Sequence, residues 1–195
     1  MPACPVAVVL LCAPVSEEFT GKLLARMDEL TVGDPREAGT RIAPLIDEAA
    51  TQRVLDRIDA ARAAGARVLH GGRARGRAIE PTVLCEVPEE QPAWCEEIFD
   101  PVVALRVVPD LAAGLAAVNR SRYGLHAAVF TRSLASAFAA IEELEVGGVV
   151  VNEVPGFRSD VMPYGGVKDS GVGREGPRFA IEELTVTRMA VVRPS

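Results

Sequence analysis

Short apolar runs alternate with amphipathic stretches along almost the whole chain, and this alternation restricts the fold more than any other feature of the sequence. Val6–Cys12 is an apolar, β-branched run suited to a buried strand. Ser16–Leu30 reads as a helix, with Ser16 as its N-cap and Glu17 and Glu18 well placed in the first turn. Asp47–Ala64 reads as a second helix. Val54, Ile58 and Ala61 share one face at i, i+4 and i+7, and Gly65 supplies a stop. Arg67–His70, Thr82–Val87, Val102–Val108, His126–Thr131 and Val149–Asn152 read as strands, with helices over Asp110–Asn119 and Leu134–Leu144. Arg73–Arg77 reads as a solvated hairpin or turn, and Leu184–Val192 has strand character at the end of the chain. Such a pattern points to an α/β fold, a largely parallel sheet flanked by helices.

One segment fits neither period. Met162–Gly176 carries Gly165, Gly166, Gly171 and Gly173, too dense for a helix or strand and too irregular for a repeat. Backbone of this kind turns at positive φ or approaches other backbone closely.

Composition removes several function classes. The net charge of −6, with arginines interleaved among acids, argues against nucleic acid or an anionic membrane as partner. No run reaches the roughly 20 apolar residues of a membrane span. Val6–Cys12 lies near Met1 but lacks the preceding basic residues of a signal peptide. The four cysteines form no Cys-x-x-Cys pair, and His70 and His126 are far apart, so no metal site is expected. Free thiols suit a cytoplasmic location. At 195 residues the chain can bury roughly 70% of its unfolded surface.

Several ordered motifs carry a resemblance. The run Pro163-Tyr164-Gly165-Gly166-Val167-Lys168-Asp169-Ser170-Gly171-Val172-Gly173-Arg174-Glu175 resembles the C-terminal loop of the NAD(P)-dependent aldehyde dehydrogenases. Gly33-Asp34-Pro35, Gly39–Ile46 (with Ala43 for a glycine), Glu80–Leu84, and Glu96-Glu97-Ile98-Phe99-Asp100-Pro101 (with Asp100 for a glycine) are similar to further motifs of that family, as are Asn119, Tyr123–Leu125 and Val149–Asn152. Within the family the run Met162–Thr185 is most similar to the branch acting on lactaldehyde, glycolaldehyde or phosphonoacetaldehyde.

The resemblance implies a domain plan and a chemistry. It assigns residues 1–183 to a truncated catalytic domain and 184–195 to a C-terminal oligomerisation strand, with the N-terminal dinucleotide-binding domain, the general-base Glu and the oxyanion Asn absent. It implies that a Cys thiolate attacks the aldehyde, that hydride leaves for NAD or NADP, and that water hydrolyses the thioester. Cys4 is the candidate nucleophile, although counting back from Phe19 places the family cysteine on Ala3. The alternative is an ordinary terminal thiol. Glu97 and Phe99 match the residues that hold the nicotinamide ribose and pack beside the ring. A carboxylate suits two hydroxyl donors, and an aromatic ring is a flat apolar wall. If the family needs positive φ at position 100, Asp100 is one of the few side chains that tolerates it. Phe157 and Tyr164 fall where the family places substrate-tunnel aromatics, or else simply pack a loop. Arg158 beside them can clamp a carboxylate or phosphonate tail, or else is a surface arginine. Asn152, Lys168, Ser170, Arg174 and Glu175 match structural positions, and Arg174 and Glu175 are expected to fix the loop or an interface.

Three expectations follow. In the first, the chain is the catalytic part of an oxidoreductase acting on a small aldehyde, inactive alone and dependent on a homo-oligomer or on a dinucleotide-binding chain. In the second, it is a non-catalytic scaffold or regulatory subunit that associates with itself or a full-length dehydrogenase. In the third, it is the product of a misassigned start or a degraded gene.

Overall fold

A computed structural model describes residues 8–194, so Cys4 lies outside the described residues. In chain order the elements are β1 (Val8–Cys12), α1 (Ala13–Asp28), α2 (Glu48–Ala63), β2 (Arg67–His70), β3 (Ala74–Arg75), β4 (Ala78–Ile79), β5 (Thr82–Cys85), α3 (Pro92–Cys95), β6 (Val102–Val108), α4 (Leu111–Asn119), β7 (Tyr123–Gly124), β8 (His126–Val129), α5 (Leu134–Glu143), β9 (Gly148–Val151), β10 (Val167–Lys168) and α6 (Pro177–Leu184). Two compact units divide at 118/119, so 184–194 falls in the same unit as 119–183.

The first unit is a four-stranded sheet in the order β1-β6-β5-β2. β1, β6 and β5 run parallel, and β2 closes the edge antiparallel to β5. The two-residue period of the strands sorts side chains onto two faces. Leu11, Val83 and Leu105 point one way and are covered by Leu23, Leu24 and Met27 of α1. Leu84, Val102 and Ala104 point the other way and pack on Val54, Ile58 and Ala61 of α2. Val54, Ile58, Val83 and Leu84 are fully buried. α2 begins where the sequence places it, because the Asp47 carboxylate accepts from the Ala50 amide at 2.7 Å.

α1 begins earlier than expected. Cys12 is its N-cap, a proline opens its first turn, and Ser16 lies inside, its hydroxyl donating to Ala13 O at 2.9 Å. The reason is that Pro14 is preorganised for a helix start and has no amide to leave unpaired. The Arg73–Arg77 stretch is a hairpin, with β3 paired to β4.

The second unit is built on the parallel pair β8–β9, with α5 capped by Ser133, and on the small antiparallel pair β7–β10. Gly165 and Gly166 pass directly over the start of β9. A Cβ on Gly147 would sit 1.7 Å from Gly165 O, and one on Gly166 would sit 2.4 Å from the Ser170 Cβ. The glycine run is therefore a close-approach loop, as its density implies. After α6, residues 185–194 pair with no strand among the described residues, and Val186, Met189, Val191 and Val192 are exposed. Leu184, read as the first strand residue, is the last residue of α6. Among the described residues no helix is long and apolar enough to cross a membrane.

Candidate functional site

In the first unit the site residues lie on the segment after α3. That four-residue helix ends at Glu96, which is extended, and the chain then places Ile98 in the core with 6% exposure. Arg57, on the flank of the buried face of α2, fastens the segment. Its Nη1 donates to Glu97 O at 2.9 Å and its Nη2 to Glu96 Oε2 at 2.7 Å. The guanidinium thus satisfies one carboxylate and one backbone carbonyl with a single fork, leaving the Glu97 side chain exposed.

Phe99 follows, with φ of 59° and 65% of its surface exposed. A bulky residue in the left-handed region is a genuine outlier, and an exposed aromatic gains little burial in return. The positive φ thus falls on Phe99 and not on Asp100. Asp100 is half-buried, and its carbonyl accepts from Val102 N at 2.6 Å. Burial raises the Asp100 carboxyl above its ordinary value, opposed by the charges of Arg53 and Arg57. Beside this segment, Gln52, Arg53, Asp56 and Arg57 of α2 and Pro92 line a shallow concavity of about 500 Å³.

These residues fit the nicotinamide end of NAD or NADP. An exposed carboxylate can accept from both ribose hydroxyls, and an exposed ring held out of its relaxed backbone conformation offers a face to a heteroaromatic. Among the described residues no group of three His, Cys, Asp or Glu side chains is placed to hold a metal ion.

In the second unit Phe157, Arg158 and Tyr164 lie on the loops that follow β9. The Arg158 guanidinium lies 4.3 Å from the centre of the Tyr164 ring, and its Nη2 donates to Glu175 Oε2 at 2.7 Å. Glu175 is itself fixed by the backbone: Tyr164 N donates to Glu175 O at 3.1 Å and Glu175 N to Tyr164 O at 2.6 Å. Tyr164 also meets His126 edge to face, with ring centres 4.8 Å apart. The Pro155 carbonyl, 3.0 Å from His126 Nδ1, can only accept, so that nitrogen carries the proton. Among the described residues His126 Nε2 is buried without a hydrogen-bond partner, and a Cβ on Gly148 would lie 2.6 Å from it. Phe157 is 51% exposed.

The remaining matched residues fasten these loops. Asn152, at φ 60°, donates to and accepts from the Thr131 backbone, both at 2.8 Å. Lys168 Nζ donates to Asn119 O at 2.7 Å and pairs with Glu145 at 2.9 Å. Ser170 Oγ accepts from Gly124 N at 3.0 Å, and Arg174 Nη1 donates to Gly166 O at 2.9 Å and Gly173 O at 2.7 Å. Cys12, Cys85 and Cys95 are free thiols.

Two contributors escape sequence reasoning. Arg57 contacts a segment 40 residues away, and nothing in its own helix marks it. His126 is a lone histidine on a strand, without a local signal for the ring it supports.

A family model described as the aldehyde dehydrogenase family matches residues 3–190. A 3-sulfolactaldehyde dehydrogenase of Priestia megaterium is 40% identical over 174 residues, which are 89% of this chain and 36% of that protein. A lactaldehyde dehydrogenase of Methanococcus aeolicus is 36% identical over 184 residues, 94% of this chain and 39% of that protein. Among solved structures, glyceraldehyde-3-phosphate dehydrogenase of Methanocaldococcus jannaschii complexed with NADP superposes with a TM-score of 0.85 at 33% identity, covering 91% of this chain and 39% of that one. The chain thus spans less than two fifths of the length of each of these relatives.

Proposed function

Because the chain belongs to the aldehyde dehydrogenase family, we propose that it forms the substrate-side part of an NAD(P)-dependent enzyme that oxidises a small aldehyde to its carboxylic acid. Phe99 carries this reading: it is a strained, exposed aromatic two residues after the exposed Glu97 carboxylate, on a segment that Arg57 fixes from α2. Glu97 holds the nicotinamide ribose and Phe99 packs beside the ring. Bound NAD or NADP supplies the hydride acceptor. Cys4 attacks the aldehyde carbon. Phe157 and Tyr164 wall the aldehyde, and Arg158 takes an anionic tail on its open donors. The sulfo and phosphate groups in the names of two relatives suit that tail.

Turnover in this reading needs the dinucleotide-binding portion that makes up much of the relatives' further length, wherever it is encoded. The chain meets that portion, or further copies of itself, through 185–194, whose exposed Val186, Val191 and Val192 suit strand pairing. Free Cys12, Cys85 and Cys95 suit the reducing cytoplasm.

The test is reduced-nicotinamide formation with NAD or NADP and a panel of glycolaldehyde, lactaldehyde, phosphonoacetaldehyde and succinic semialdehyde. It is run with the chain alone and with a dinucleotide-binding portion supplied. Turnover is expected only with that portion present, and Cys4→Ser should abolish it. Equal turnover in the variant would remove Cys4 from the chemistry. A second reading, a non-catalytic subunit, is favoured by the same exposed C-terminal segment. Stable association with a full-length dehydrogenase and no Cys4-dependent turnover would be its signature.

A further inference from the structure

Resting on the reading of Phe157, Arg158 and Tyr164 as the substrate wall, we infer that His126 is the positioning residue of that wall: one neutral imidazole ties together the two loops that carry it. Arg158 lies on the loop after β9, and Tyr164 on the same connection nearer β10. His126, on β8, meets both. Its Nδ1 donates to Pro155 O at 3.0 Å, just before Arg158 in the chain, and its ring meets Tyr164 edge to face with centres 4.8 Å apart. The Arg158 guanidinium lies 4.3 Å from the centre of that same Tyr164 ring. Each half of the Arg158–Tyr164 pair is thus referenced to one side chain on a strand, which sets where the guanidinium sits over the ring.

The surroundings admit one form of the ring. Among the described residues Nε2 is buried with no partner, and it lies against Gly148, where a Cβ would come within 2.6 Å of it. A buried acceptor left unpaired costs stability, and a phenylalanine would supply a ring without that cost. What phenylalanine lacks is the Nδ1 donor, so the bond to Pro155 O is what histidine adds here. A proton on Nε2 would find no acceptor, and it would set a second cation across the Tyr164 ring from Arg158. The titratable and charged groups around the imidazole are Tyr164, Arg158 and Glu175, the last paired with the guanidinium at 2.7 Å. Glu153, in the same loop as Pro155, has its carboxylate on Val154 N at 2.8 Å, and β9 meets the ring with Gly148. None of these offers Nε2–H an acceptor, so the neutral imidazole is the form that holds the wall.

The experiment is nitrogen NMR of the full labelled chain, in which His126 shares the imidazole region only with His70. At about pH 7.5 the His126 ring should show a protonated Nδ1 and a bare Nε2. Added 4-hydroxybutanoate, a single carboxylate still mostly ionised at about pH 5.5, should shift the Tyr164 amide saturably, and Arg158→Gln should abolish that shift. His126→Asn keeps a donor towards Pro155 O and loses the ring that meets Tyr164. His126→Phe keeps a ring and loses the donor. Each should weaken the probe about two- to tenfold. Between about pH 7.5 and about pH 5.5 the probe should weaken in the wild type, as the imidazole takes up its second proton, and hold its affinity in His126→Phe. A purely structural role does not produce that difference. A protonated Nε2 at the higher pH, a wild-type affinity unchanged by acidification, or full affinity in both variants overturns the inference, and the wall reading stands if binding still depends on Arg158. A shift that is absent in the wild type, or indifferent to Arg158→Gln, overturns both. If a variant fails to fold, the wild-type tautomer and pH response decide alone.

Discussion

Phe99 holds a backbone conformation that disfavours it and leaves 65% of its surface in water. Among the described residues neither cost is offset by packing, which is the observation behind the role proposed for Phe99. Asn is far more at ease at positive φ. Phe99→Asn is therefore expected to raise unfolding free energy by about 0.5–1 kcal/mol, measured by urea denaturation, while weakening nicotinamide binding in the reconstituted enzyme. A variant less stable than wild type would show that the ring is structurally required. The opposite case is Gly147, where a Cβ would lie 1.7 Å from Gly165 O: there the backbone itself fills the space, and only glycine fits.

Elements are held by pairs that lie far apart in sequence. α1 has no fully buried residue and docks through half-buried Leu23, Leu24 and Met27. His70 on β2 adds a polar tie, with Nε2 3.0 Å from Asp28 Oδ1 at the end of α1 and Nδ1 2.6 Å from Pro81 O. The Pro81 carbonyl, followed by the Asp28 carboxylate and the charge of Glu80, raises the His70 pKa above its ordinary value against the opposing effect of burial. A group with a raised folded pKa contributes stability that is fully present below its unfolded value, near 6.5, and lost as pH rises through the folded value. The urea midpoint of wild type relative to His70→Gln should therefore be greatest below about pH 6.5 and decline above it. A wild-type advantage that grows with pH would refute the tie.

At the scale of the molecule, each unit has its own basis for stability. The first has a four-stranded sheet covered on both faces, with Val83 and Leu84 fully buried. The second rests on a two-stranded parallel pair whose residues are all half-buried. Hydrogen exchange should be slowest at β5 and β6 and measurably faster at β8 and β9. Equal protection in the two sheets would mean that β8 and β9 gain support from another chain. Much of this architecture was legible beforehand. The i, i+4, i+7 stripe of Val54, Ile58 and Ala61, the bounds of Arg67–His70 and Val102–Val108, and the crowded glycine loop all follow from local periodicity, which encodes which side of an element is apolar and where backbone must pass closely. The start of α1 was misplaced because Ser16 is a common cap, while Pro14 determined the outcome. The candidate site was legible only as residue identities. The support of Glu97 by Arg57, the stack of His126, Tyr164 and Arg158 on Glu175, and the positive φ at Phe99 instead of Asp100 were decided by tertiary structure. A sequence records each residue's own preferences, whereas these contacts depend on which distant segments the sheets and loops bring within a few ångströms.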